Sequence, residues 1–199
     1  MTQEEFLAGI ESEYKKAREL FEGKGEYDIY RGTAHAVSGY MEDTFAIYMA
    51  NRIGIKEYQY LVDKLITYRD KNEAKAVTFK PDLAILEKGV LTHYYDLKTN
   101  LGWNRDLEKY LRNKNELIEK IRGKEGWITF PGKRQTIFNS ENLKYQMVVF
   151  NGWNINQQIL SDNVLFSSSL ANVEIYILNT WDANTKTLNI NQNAFDKLF

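Results

Sequence analysis

Apolar and polar positions alternate along this chain with two periods, and each period marks out a different kind of element. From Thr2 to about Gly23, Phe6, Ile10, Ala17, Leu20 and Phe21 recur near helical spacing among many charges, which predicts an amphipathic surface helix stopped by Gly23-Lys24-Gly25. His35–Gly54 carries Val37, Met41, Phe45, Ile47, Tyr48, Met49 and Ile53, enough apolar positions to bury most of a helix's circumference. Tyr58, Tyr60, Val62, Leu65, Ile66, Thr67 and Tyr68 suit a pleated surface, so a strand is expected near Leu61–Tyr68. Ala76–Leu86 and Val90–Thr99 read as an antiparallel hairpin closed by Glu87-Lys88-Gly89. Leu107, Tyr110, Leu111, Leu117, Ile118 and Ile121 predict a helix over Asp106–Arg122 with Gly123 as its stop. A small hairpin around Pro131-Gly132-Lys133-Arg134 follows as an insertion beyond the core, then a strand at Tyr145–Phe150, a helix over about 155–163 and a strand at Val173–Asn179. Ser167-Ser168-Ser169 reads as a loop, with no partner histidine nearby to suggest a nucleophile.

This order predicts an α/β fold with a mixed central sheet flanked by helices. The 199 residues suffice for one sizeable core, so a single domain spanning 1–199 is expected. Cysteine is absent, which removes disulfide frameworks, thiolate metal sites and cysteine nucleophiles. No apolar run reaches the 18 or so residues of a membrane span, and the acidic opening MTQEEF is unlike a secretory signal. A cytoplasmic protein without membrane partners is expected.

The net charge of −1 argues at first against nucleic acid. Its distribution changes the picture. Residues 1–97 hold 13 basic and 17 acidic side chains, residues 98–144 hold 11 and 6, and residues 145–199 hold 2 and 4. The basic middle reads either as a solvated helix face with a charged loop or as an anion-binding surface.

The chemistry concentrates in the predicted hairpin. Asp96 and Lys98 are two apart on a strand, so they share a face at about 6.5–7 Å. If the strands pair around Gly89, Asp82 lies towards the same end. Two ionised carboxylates held close repel unless a cation sits between them, and hard oxygen ligands suit Mg²⁺. Such a metal polarises a phosphoryl oxygen and acidifies a bound water, while Lys98 orients the nucleophile or offsets transition-state charge. An exposed strand face also carries Asp-x-Lys harmlessly, so the pattern alone is weak. Asp82, however, follows one of only two prolines and opens an apolar strand, and the preceding helix carries His35, Ser38 and Glu42 as a polar stripe. Glu42 is then a candidate third carboxylate.

Pro81-Asp82, the run Asp96-Leu97-Lys98 after thirteen intervening residues, and Glu42 in the helix before the sheet together resemble the PD-(D/E)XK nuclease superfamily, home of most type II restriction endonucleases. The order of elements over about 35–150 is similar to that superfamily's common core. The resemblance implies a restriction-endonuclease-like fold and a Mg²⁺-dependent endonuclease, with Mn²⁺ as a substitute. Asp82 and Asp96 would bind the metal, Lys98 would assist the attacking water, and Glu42 would support a metal directly or through water. It further implies double-stranded DNA as partner, a homodimer on palindromic sites, and a prokaryotic or phage setting. A repair, recombination or phage nuclease of the same fold is the alternative enzyme. A non-catalytic nucleic-acid-binding module, or an unrelated α/β protein whose acidic residues scatter, are the other readings.

Further candidates lie outside the hairpin. His35 reads as a phosphate contact or as a capping residue, and Ser38 as a site residue or one bonded to its own helix. Arg105, between strand and helix, is a candidate DNA-phosphate contact. Lys133 and Arg134 at the Pro-Gly turn are candidate DNA contacts or simply an exposed basic tip.

Overall fold

The computed structural model describes residues 1–18, 38–54, 56–69, 75–99, 101, 106–152, 156–182 and 187–199. The chain divides into two compact units, Met1–Ile55 and Lys56–Phe199.

The first unit holds α1 (Gln3–Arg18) and α2 (Ser38–Ile53). Thr2 and Glu5 open α1 as a reciprocal cap: Glu5 N donates to Thr2 Oγ1 at 3.1 Å and Thr2 N to Glu5 Oε2 at 2.7 Å. Phe6 is fully buried and stacks on Tyr48 of α2 at 4.9 Å between ring centroids. Met41, Phe45, Tyr48 and Met49 of α2 are buried, whereas Ile47 is exposed. The Gly23-Lys24-Gly25 stop predicted for the first helix falls outside the described residues.

The second unit contains β1 (Tyr58–Val62), β2 (Ile66–Tyr68), β3 (Val77–Phe79), β4 (Leu83–Glu87), β5 (Val90–Lys98), α3 (Leu107–Ile121), β6 (Glu125–Phe130), β7 (Lys133–Asn139), β8 (Tyr145–Val149), α4 (Gln157–Ser167), β9 (Val173–Ile177), β10 (Asn179–Asp182), β11 (Thr187–Ile190) and α5 (Gln192–Asp196). Among the described residues nine strands make one mixed sheet in the order β1-β4-β5-β7-β6-β2-β3, with β8 joined to β5 and β9 to β8; β10 and β11 pair apart from it. A mixed α/β architecture with helices on a large sheet is therefore what the chain adopts. Among the described residues, no helix is long and apolar enough to cross a membrane.

Three expectations change. The single strand near Leu61–Tyr68 is two strands, β1 and β2, separated at Asp63, whose φ is 52°. The first arm of the hairpin is likewise divided, because β3 pairs with β2 while β4 pairs with β1 and β5. The hairpin β6–β7 is no appendage: β6 pairs with β2, and β7 runs parallel to the start of β5, so it is part of the main sheet.

Strand β5 is the hub. Its first residues pair with β7 and its last five run parallel to β8, with β4 antiparallel along the other edge. The crossover from β5 to β8 carries α3, which Asp106 caps through Lys109 N at 3.2 Å. Leu107, Leu111, Ile118 and Ile121 of α3 are buried in one cluster with Ala84, Leu86, Leu91, Tyr94, Tyr145, Met147 and Val149. These residues define the sheet face beneath α3. The opposite face presents Tyr95 and Leu97 and is closed by the C-terminal segment, where the Tyr95 hydroxyl donates to the Leu198 carbonyl.

Candidate functional site

Lys88 and Gly89 both have positive φ, 49° and 84°, the backbone of a two-residue turn whose twist matches the strands it joins. That turn pairs Glu87 with Val90 and Leu86 with Leu91. Continued regularly, it would set Asp82 opposite Tyr95 and leave Asp96 on the other face. A bulge prevents this: Leu86 pairs with Leu91, but Ile85 pairs with His93 and Leu83 with Tyr95. The extra residue, Thr92, is tied by its hydroxyl to the Ile85 carbonyl at 3.1 Å. Carried one residue past the Leu83–Tyr95 pair, the register sets Asp82 against Asp96, and directly opposed residues on antiparallel strands share a face. Asp82, Asp96 and Lys98 thus come together under α3.

The contacts are specific. Asp82 Oδ2 accepts from Leu97 N at 2.6 Å. The Lys98 ammonium lies 3.0 Å from Asp96 Oδ1 and 3.8 Å from Asp82 Oδ2. Asp96 is almost fully buried, and its Oδ2 accepts from the Tyr145 hydroxyl at 2.7 Å and from the Tyr110 hydroxyl. The Lys114 ammonium stands 3.5 Å from the same oxygen. It also donates to the Tyr94 hydroxyl at 2.8 Å and lies 5.1, 5.2 and 5.0 Å from the ring centroids of Tyr94, Tyr110 and Tyr145.

The two carboxyls are driven apart by this environment. Burial, followed by the neighbouring Asp96, pushes Asp82 up to about 7. Burial also presses Asp96 upwards, but Lys114, then Lys98, then the hydrogen bonds from Asp82 and Tyr110 outweigh it and hold Asp96 well below the usual carboxylate range. Burial raises Tyr94, Tyr110 and Tyr145, so all three stay neutral, Tyr110 and Tyr145 as donors to Asp96 and Tyr94 as an acceptor from Lys114. One carboxyl is held as the anion and its partner is poised to exchange a proton near neutrality, a division of labour typical of reactive sites.

The remaining predicted residues are placed as follows. Ser38 is the exposed first residue of α2, and Glu42 lies on the same helix, half-buried, in the N-terminal unit. His35 and Arg105 fall outside the described residues. Lys133 and Arg134 are exposed at the β6–β7 turn, with the Arg134 guanidinium 4.9 Å from the Trp127 ring centroid. The structure does not bring this tip to the carboxylates. Strand β7 meets β5 only at Val90 and Leu91, whereas Lys98 lies about 25 Å farther along β5 at the rise of an extended strand. Of the serine triplet, Ser167 ends α4, and Ser168 and Ser169 form the turn that leaves it, their hydroxyls donating to the Val164 and Phe166 carbonyls.

Sequence reasoning missed Tyr94, Tyr110, Lys114 and Tyr145. One signal was present. Leu107, Leu111, Lys114, Ile118 and Ile121 form a continuous i, i+3, i+4 stripe on α3, and an ammonium in the middle of a buried stripe requires a partner.

Among the described residues no three acidic or histidine side chains gather into a metal-binding group. Asp82 and Asp96 remain a hard-oxygen pair. Asp96 Oδ1 accepts from Lys98, and Asp82 Oδ1 accepts from no N–H or hydroxyl among the described residues. Two carboxyls so close that one is pushed towards neutrality form a donor set that a divalent cation with few protein ligands fits. No family model, curated protein or solved structure matches the chain.

Proposed function

We propose that this protein is a divalent-metal-dependent endonuclease that hydrolyses DNA phosphodiester bonds, built on the PD-(D/E)XK plan with a restriction-endonuclease-like core. The observation that carries the reading is the convergence of Asp82, Asp96 and Lys98 on one sheet face, with the ammonium within 4 Å of both carboxylates. The order α2, β1, β4, β5, α3, β8, with β8 parallel to β5, supports it. So does the basic excess of residues 98–144.

Asp82 and Asp96 would hold Mg²⁺, or Mn²⁺ in its place, as both prefer oxygen ligands. Bound there, the cation supplies Lewis-acid polarisation of the phosphoryl group and a more acidic water. Lys98 orients the attacking water or offsets the charge that develops on the phosphate. Tyr110, Tyr145 and Lys114 keep Asp96 anionic and fixed in direction. Lys133, Arg134 and Lys64, the last 4.5 Å from the Phe130 ring centroid, form a basic and aromatic tip suited to backbone contacts at a distance from the cut. A type II restriction enzyme acting as a homodimer on a palindromic duplex, in a prokaryotic or phage cytoplasm, is the setting we propose.

The test is incubation of the purified full chain with plasmid and phage DNA, in Mg²⁺ or in EDTA, beside Asp82→Asn and Lys98→Met. We expect cutting in Mg²⁺ alone and a loss of about 100-fold or more in either variant. Discrete fragments indicate restriction, and smears or end-dependent degradation indicate a repair or phage nuclease. DNA binding without cutting assigns the fold to a non-catalytic module, and neither binding nor cutting sinks the proposal.

A further inference from the structure

We infer that Lys114 is a built-in counter-ion of this site, a positioning residue that makes divalent-cation binding and nucleic-acid binding depend on one another. The inference rests on the nuclease reading and deepens it.

Two carboxyl groups and two ammoniums form one cluster. Lys98 is 3.0 Å from Asp96 Oδ1 and 3.8 Å from Asp82 Oδ2, and Lys114 is 3.5 Å from Asp96 Oδ2. Lys98 occupies the position that the Asp-x-Lys pattern provides. Lys114 comes from another element, in the buried stripe of α3, where the cost of desolvating an ammonium has to be met by a specific partner. It is held from several sides at once: by Asp96, by the Tyr94 hydroxyl at 2.8 Å and by three tyrosine rings. Its side chain keeps 19% of its exposure, so the cluster lies near solvent and is not sealed in the core.

With both carboxyls ionised the four charges cancel. A divalent cation entering alone therefore adds two positive charges beside two fixed ammoniums and competes with them for the same carboxylate oxygens. A phosphodiester backbone brings the anion that this arrangement lacks: once phosphates face the lysines, the carboxylates are released to the cation. Each ligand then strengthens the other by the same factor, as linkage requires. Lys98 contributes to this balance but also serves the chemistry. Lys114 is the member whose removal tests the coupling by itself.

The experiment titrates Ca²⁺ by calorimetry into the full chain, alone and saturated with a short DNA duplex, and measures duplex affinity by fluorescence anisotropy with and without Ca²⁺. Lys114→Met removes the charge at similar length, and Lys114→Arg keeps it. We expect duplex to tighten Ca²⁺ binding by about tenfold in the unmodified protein, and Ca²⁺ to tighten duplex binding equally. Lys114→Met should bind Ca²⁺ more tightly without DNA, by a similar factor, and lose most of the coupling; Lys114→Arg should retain it. A folded Lys114→Met whose DNA-free Ca²⁺ affinity and coupling are unchanged overturns the inference. If that variant does not fold, the unmodified protein and Lys114→Arg decide: absence of coupling in a protein that cuts DNA overturns this inference alone. Absence of all cation and DNA binding overturns the nuclease reading and this inference with it.

Discussion

One sheet carries two constellations made from the same residue types, and they have different fates. On β9, Glu174 accepts from the Lys144 ammonium at 2.5 Å and from the Tyr176 hydroxyl. Under α3, Asp96 accepts from lysine and tyrosine as well. The first lies on the face opposite α3, in register with Gln146, and its lysine side chain is 45% exposed. The second holds an aspartate only 6% exposed, a second carboxyl group just ahead of the neighbouring strand and two lysines. Both anions are pulled below their ordinary range, Glu174 by Lys144 and Tyr176 against the pressure of burial. Only the buried group has a neighbouring carboxyl pushed the other way. A cluster of acid, lysine and tyrosine is thus not enough for the site we propose; low exposure and a second carboxyl group separate the pair under α3 from a surface ion pair.

The contrast can be broken by substitution. Asp96→Ala would leave Lys98, Lys114 and two tyrosine hydroxyls without their shared acceptor, and we expect a loss of about 3–5 kcal/mol in urea unfolding. Tyr145→Phe removes one buried hydrogen bond to an anion and should cost about 1.5–3 kcal/mol by the same assay.

Asp82 has a folded pKa of about 7, above its unfolded value, so the folded chain holds a proton that the unfolded chain has lost. Its contribution is present in acid and lost as pH rises through 7, limited to about 1.4 kcal/mol per pH unit for one proton. His93, pushed down to about 4 by burial, acts in the opposite sense below its unfolded value and is silent above about pH 7. Asp96, held low, contributes only on the acid side. The urea midpoint of the unmodified protein in EDTA should therefore fall relative to Asp82→Asn between pH 6 and 8; parallel curves would refute the assignment. Smallest of all, Glu174→Ala should change stability by no more than about 1 kcal/mol, since its ion pair is exposed; a larger loss would erase the distinction drawn between the two clusters.

Much of the frame was legible because its signals are local. The apolar period of 107–121, the Lys88-Gly89 turn and the short apolar runs at 145–149 and 173–177 each report their own element. Asp82, Asp96 and Lys98 were readable as residue types at a spacing. The division of 58–68 into two strands was not, because β1 and β2 look alike locally and differ only in their partners, β4 for one and β3 and β6 for the other. Nor were the tyrosines, since Tyr110 and Tyr145 reach Asp96 across 14 and 49 residues. Of the residues missed, Lys114 alone left a local signal, a charge interrupting an apolar stripe.

The bulge at Thr92 gives the site an arithmetic basis. Because side chains alternate along a strand, the parity of the segment between Asp82 and Asp96 decides whether the two acids meet or turn their backs, whatever their identities. A chain shortened by that single threonine would run the same pairs in an unbroken ladder and keep the two acids opposed, whereas one more residue inserted between Gly89 and Asp96, with no second bulge to absorb it, would carry Asp96 and Lys98 to the side of the sheet occupied by the C-terminus. What this hairpin transmits to the chemistry is a count of residues, and counts are altered by insertions and deletions that leave every motif unchanged.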